Sequence, residues 1–91
     1  MEFLVQIESR EQPSGDQAFL DDLAARERRR GLELVEAGVI RGIWRVAGRQ
    51  ANVGIWEAED ATELHAAITS LPAFPWMDVR VTALARHPLN G

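Results

Sequence analysis

The sequence contains no cysteine, which removes disulfides, thiolate metal sites, iron–sulfur clusters and thiol nucleophiles together. Histidine is nearly as scarce. His65 and His87 are the only two, and neither has a nearby histidine or a ligand-spaced cluster of acids, so no metal site is expected. No apolar stretch approaches the roughly 20 residues that span a bilayer, and the chain starts directly on an alternating strand pattern in place of a signal peptide, so a cytoplasmic protein is expected. A basic balance is missing as well: a formal charge of −4 and a pI near 5.1 argue against general affinity for nucleic acid. What remains is a chain of 91 residues, 46% hydrophobic and 26% charged. That describes one domain over residues 1–91 with a single core. A domain so small leaves much of its surface in water, and self-association is one way to bury more.

Residues 3–9, FLVQIES, put Phe3, Val5 and Ile7 on one face and Leu4, Gln6 and Glu8 on the other, the period of a strand. Pro13 and Gly15 break the pattern. Ser14 followed by Gln17 fits a capping box, and the first helix is predicted from about Gly15 to Ala37, with Gly38 as its left-handed stop. From Val39 the alternation resumes, turns near Gly48 and Arg49, and returns through ANVGIWE as a β-hairpin. Asp60 and Glu63 form a second capping box ahead of Leu64, Ala67, Ile68 and Leu71, whose spacing is helical. That helix ends before Pro72, because PAFPW carries two prolines that remove donors and restrict their predecessors. A last strand follows in MDVRVTALARH. The order β-α-β-β-α-β is the ferredoxin-like α+β arrangement, an antiparallel four-stranded sheet with both helices on one face. Ile40, Trp44 and Val46 on one strand parity, and Ile43 and Trp56 on the other, make both sheet faces apolar. A second copy of the chain is the expected cover of the open face, which gives a dimeric α+β barrel.

On a helical wheel that starts at Leu20, Glu27 falls at about 340°, between Leu34 at about 320° and Gly31 at about 20°. An acid therefore sits in the centre of the stripe that faces the sheet, where it must pair, neutralise or line a cavity. Gly31 removes bulk one turn later. Glu27 is either the partner of Arg45 or another inward arginine in a structural ion pair, or a general base. The run RERRRG at 26–31 reads as a solvated, ion-paired face in preference to an anion-binding patch, with Asp22 one turn before Arg26 and Glu33 one turn after Arg29. On the hairpin, a two-residue loop would set Arg45 opposite Asn52, whereas a three-residue loop would set Trp44 there. Arginine can grip a carboxylate with two prongs, and asparagine can donate to a developing oxyanion. Equally, Arg45 could face solvent and Asn52 could serve the backbone. Trp44, Trp56, Phe74 and Trp76 read as core or interface, and His65 as surface. His87 either caps a pocket or belongs to a frayed end.

The segments IWRVAGRQAN at 43–52, LPAFPWMDVRV at 71–81 and RHP at 86–88 together resemble the muconolactone Δ-isomerase family, over essentially the whole chain. The resemblance implies a ferredoxin-like subunit that forms dimers, often assembled into decamers, and works without cofactor or metal. It also implies a 1,3-proton shift from muconolactone to the 3-oxoadipate enol-lactone in aromatic catabolism. Glu27 would take the base and acid roles, Arg45 or Arg41 would hold the substrate carboxylate, Asn52 would polarise or position the lactone, and Trp44 would line the pocket. Ala24 and Gly42 stand where the family carries a lysine and a histidine, which removes one anchor for an anionic lactone. Two other readings follow: a divergent relative acting as isomerase, cyclase or dehydratase on another unsaturated molecule in biosynthesis, or a non-catalytic oligomeric ligand binder.

Overall fold

The alternation at the N-terminus is realised in a computed structural model that describes residues 1–90. β1 (Glu2–Ser9) buries Phe3, Val5 and Ile7. It lies in the middle of the sheet, with β3 (Ala51–Glu57) on one side and β4 (Met77–Leu84) on the other, both antiparallel. β2 (Ile40–Arg45) completes the order β2-β3-β1-β4 at the far edge. α1 (Gln17–Glu36) contributes Leu34, and α2 (Ala61–Thr69) contributes Leu64 and Ile68, to one core with Phe3, Val5, Ile7, Ile40 and Trp56. Both helices thus cover one face, as the ferredoxin-like order requires.

Several local details differ from the sequence expectation. The first helix is capped by Asp16, whose carboxylate accepts from the Phe19 N–H at 2.9 Å, instead of by Ser14. Aspartate is as good a cap as serine, and its position leaves Gly15 free to take a φ of +152° ahead of the helix. The stop at Gly38 is as read: at φ +76° it lets the Val39 N–H reach Leu34 O and its own N–H reach Val35 O. Asp60 accepts from the Glu63 N–H at 2.8 Å, while the Glu63 side chain reaches back to the Glu59 N–H. Glu33 pairs with Arg30 and not with Arg29, whereas Arg26 pairs with Asp22 as expected.

The parity of β2 is also corrected. Ile40 pairs with Trp56 but Gly42 pairs with Ile55, so Arg41 is the extra residue of a β-bulge. One inserted residue reverses the face of everything before it. Ile40 therefore joins Ile43 and Trp56 on the helix side, while Trp44 falls on the outer face. Gly54 permits the tight crossing here, since a Cβ would lie 2.8 Å from Gly42 O. The last strand stops at Leu84, opposite Glu2, short of the end expected at His87. The outer face, with Leu4, Val53 and Ile55 half-buried and Trp44 58% exposed, has no other element of the described chain over it.

Candidate active site

α1 crosses the sheet with Leu23 and Leu34 buried, and Glu27 lies half-buried between them. Its carboxylate makes no ion pair among the described residues; Oε1 instead accepts the Ala73 backbone N–H at 2.8 Å. The proline-interrupted segment after α2 explains that donor. Leu71 is buried, Pro72 follows it, and the Phe74 N–H returns to Leu71 O at 3.0 Å. In such a four-residue turn the N–H of the third residue is left unused. Here that residue is Ala73, and its N–H is aimed at Glu27.

The hairpin supplies the opposite wall. Its register sets Arg45 opposite Asn52. This is the pairing of a two-residue loop, although the loop itself is longer. Val46 N–H bonds Ala51 O, and a turn closed by the Arg49 N–H on Val46 O, with Gly48 at φ +79°, fills residues 47–50. Arg45 and Asn52 share the helix-facing side with Ile7 and Val79. A cavity of about 840 Å³ opens between sheet and helix, lined by Glu27, Arg28, Trp44, Arg45, Asn52 and Ala73 among others. That volume lies within the roughly 300–1,000 Å³ range of small-molecule sites.

The polar groups in this cavity are poorly matched to one another. Asn52 makes no side-chain hydrogen bond, and its Oδ1 is buried without a partner. Arg45 and Arg28 form neither an ion pair nor a side-chain hydrogen bond among the described residues. Arg49, by contrast, is held by both oxygens of Glu8 at 2.6–2.9 Å. A buried amide oxygen without a partner costs stability, so a group that persists unpaired in the same cavity as a carboxylate with no ion-pair partner fits a place for a ligand.

Four of the five residues singled out from the sequence thus line one cavity. Trp44 does so only at its border, from the edge strand: its side chain is on the outer face, where the indole lies back over Gly42 and a Cβ would meet the ring at 2.7 Å. Arg41 does not line it. The bulge directs Arg41 toward Glu57, 4.0 Å away. His87 accepts from the Leu89 N–H within its own exposed tail. Sequence reasoning missed Ala73, whose signal lies only in the turn made by Pro72. Arg28, in a run that reads as a solvated face in preference to an anion-binding patch, was not singled out by sequence reasoning but lines the cavity. Among the described residues, no group of three His, Asp or Glu side chains could hold a metal ion.

The family model described as muconolactone delta-isomerase matches residues 1–90. The chain belongs to that family. Muconolactone Delta-isomerase 2 of Acinetobacter lwoffii is 43% identical over 65 residues, 71% of this chain and 68% of that protein. The muconolactone Delta-isomerase of Cupriavidus pinatubonensis is 39% identical over 71 residues, covering 78% and 77%. A crystal structure of muconolactone isomerase superposes with a TM-score of 0.87 at 34% identity, over 97% of this chain and 92% of that one. The expected family, the ferredoxin-like fold and the assignment to an isomerase family are all met by these findings.

Proposed function

We propose that this muconolactone isomerase family member is an isomerase that moves a double bond within an unsaturated lactone, converting muconolactone to the 3-oxoadipate enol-lactone. The observation that carries this reading is the Glu27 carboxylate, uncompensated by any arginine and opening on the cavity that holds Asn52 and Arg45. Glu27 takes the proton from the ring carbon that bears the side chain. The C–H electron pair becomes a new double bond, and the old one passes its electrons to the lactone carbonyl oxygen. An Asn52 N–H donates to that oxygen as its charge grows. The proton then returns from Glu27 to the carbon next to the carbonyl, two positions away, which restores the carboxylate. The steps are redox-neutral and close on one carboxyl group. Ala73 N–H fixes one Glu27 oxygen and leaves the other for the proton. Arg45 holds the substrate carboxylate in preference to Arg41, because Arg45 lines the cavity.

A non-catalytic binder would seal Glu27 against an arginine, so its open position favours the enzyme. We further infer a single domain that works as a homodimer, its copies joined through the outer sheet face and able to close into a homodecamer. The setting is cytoplasmic, with a small-molecule partner and no nucleic acid or membrane. No described helix is long and apolar enough to cross a bilayer. The test is ultraviolet-monitored turnover of muconolactone by the wild type beside Glu27→Gln. Turnover by the wild type, with a loss of at least about 100-fold in the variant and an unchanged assembly, is the expected result. Retained activity in the variant removes Glu27 from the role. An inactive wild type moves the reading to another unsaturated substrate, for which Ala24 and Gly42 are the residues to examine, or to a binder.

A further inference from the structure

The arginine run on α1 divides in the folded chain. Arg26 is paired with Asp22 at 2.8 Å, and Arg30 is held by Glu33 at 3.1 Å and by the Ser70 hydroxyl at 2.9 Å. Arg28 and Arg29 are left without partners among the described residues. Only Arg28 of the run lines the Glu27 cavity. We propose that Arg28 is a substrate-binding residue, which forms with Arg45 a two-guanidinium clamp, one from the helix and one from the hairpin, that selects an anionic lactone.

The charge balance of the cavity supports a second cation. With Arg49 neutralised by Glu8, the charges left in the cavity lining are Glu27, Arg28 and Arg45. An empty cavity then carries one net positive charge, and a monoanionic lactone brings it to zero. During the reaction the proton moves to Glu27 and the substrate becomes a dianion, so two guanidinium groups face two negative charges while the carboxyl is neutral. With Arg45 alone, the loaded cavity would carry a net negative charge at every stage. Such a cavity would repel its own substrate in a partly desolvated cleft, where charges are screened less than in bulk water. A guanidinium on each wall also fixes the orientation of the anion across the cleft.

The inference rests on the lactone reading of the site, and its test separates the two. Wild type, Arg28→Gln, Arg28→Lys and Arg29→Gln are each assayed with muconolactone and with its neutral methyl ester, and equilibrium binding of both compounds is measured by tryptophan fluorescence. For Arg28→Gln, kcat/KM on the anion should fall about 10- to 100-fold, as for loss of a hydrogen bond to a charged group. Ester turnover should change less than about threefold, Arg28→Lys should recover part of the loss, and Arg29→Gln should match the wild type. Equal losses on anion and ester, or no loss on the anion, overturn the inference while the lactone reading stands. An inactive wild type overturns the reaction instead. The inference is then decided by binding: weaker binding of the anion but not the ester by Arg28→Gln upholds it, and any other pattern, including no binding, overturns it.

Discussion

Asn52 is asked to do two things that conflict. Its buried, unpartnered Oδ1 costs the folded chain about 1–3 kcal/mol in lost hydration, while its N–H groups are the donors that the proposed oxyanion needs. Removing the amide should therefore separate function from stability. Asn52→Leu should lower kcat on muconolactone about 100- to 1,000-fold, the size of effect seen when one oxyanion donor is lost. The thermal midpoint should stay the same or rise. Steady-state kinetics and calorimetry on one preparation check both. A fall in midpoint with kcat unchanged would make Asn52 a structural residue. Glu27 differs, because its half-buried carboxylate has a backbone donor and its cost is partly met. Its place in the apolar stripe was legible from spacing alone, since Leu23, Glu27 and Leu34 share one face of a 3.6-residue period. Its partner was not legible, since nothing in a helical pattern points to an amide on another segment.

At the scale of elements, the ends of the helices carry a clear expectation. The Phe19 N–H is satisfied by Asp16, and Ser14 caps nothing. Asp16→Ala should then cost about 1 kcal/mol, a fall of roughly 4–8 °C in thermal midpoint for a domain of this size. Ser14→Ala should stay within about 0.5 kcal/mol, as surface changes usually do. Thermal melts of the two variants side by side decide the matter. Ser14 and Asp16 stand two positions apart, and capping statistics favour serine and aspartate about equally. The hairpin shows a similar limit. Either of two loop lengths suits its glycine, and only the chain's path through a four-residue turn selects the register that sets Arg45 opposite Asn52. The bulge at Arg41 left a weaker trace still. One extra residue in an apolar run leaves the composition unchanged, yet it moved Ile40 into the core and Arg41 away from the cavity.

The whole molecule is a two-layer structure with one layer unsheltered. Two helices cover the inner face, and the outer face presents Leu4, Val53, Ile55 and Trp44 with nothing of the described chain above them. Contiguous apolar area on a sheet face is the usual mark of an interface. Ile55 lies on β3, a central strand, and is opposed by Leu4 on one side and Gly42 on the other. Ile55→Glu should place a charge in the middle of the proposed dimer contact and convert the assembly to monomers. Light scattering after size exclusion would show this as a lower mass. The wild type should also melt at a temperature that rises with protein concentration, as mass action requires. A wild type that is monomeric at all concentrations would contradict the dimer.

The sequence by itself determined the order of strands and helices, the faces that β1 and α1 bury, the stop at Gly38 and the acid within the apolar stripe. Those features rest on periodicity and on the backbone preferences of single residues, both local along the chain. Only the tertiary structure decided which polar groups meet. Ala73 and Glu27 are 46 positions apart, and their contact depends on where the turn after α2 falls against α1. Arg28 becomes part of a cavity, and Arg41 leaves it, through the crossing of the helix over the sheet and the bulge in β2. A shift of one residue in either would redirect those side chains without changing the pattern from which the elements are read.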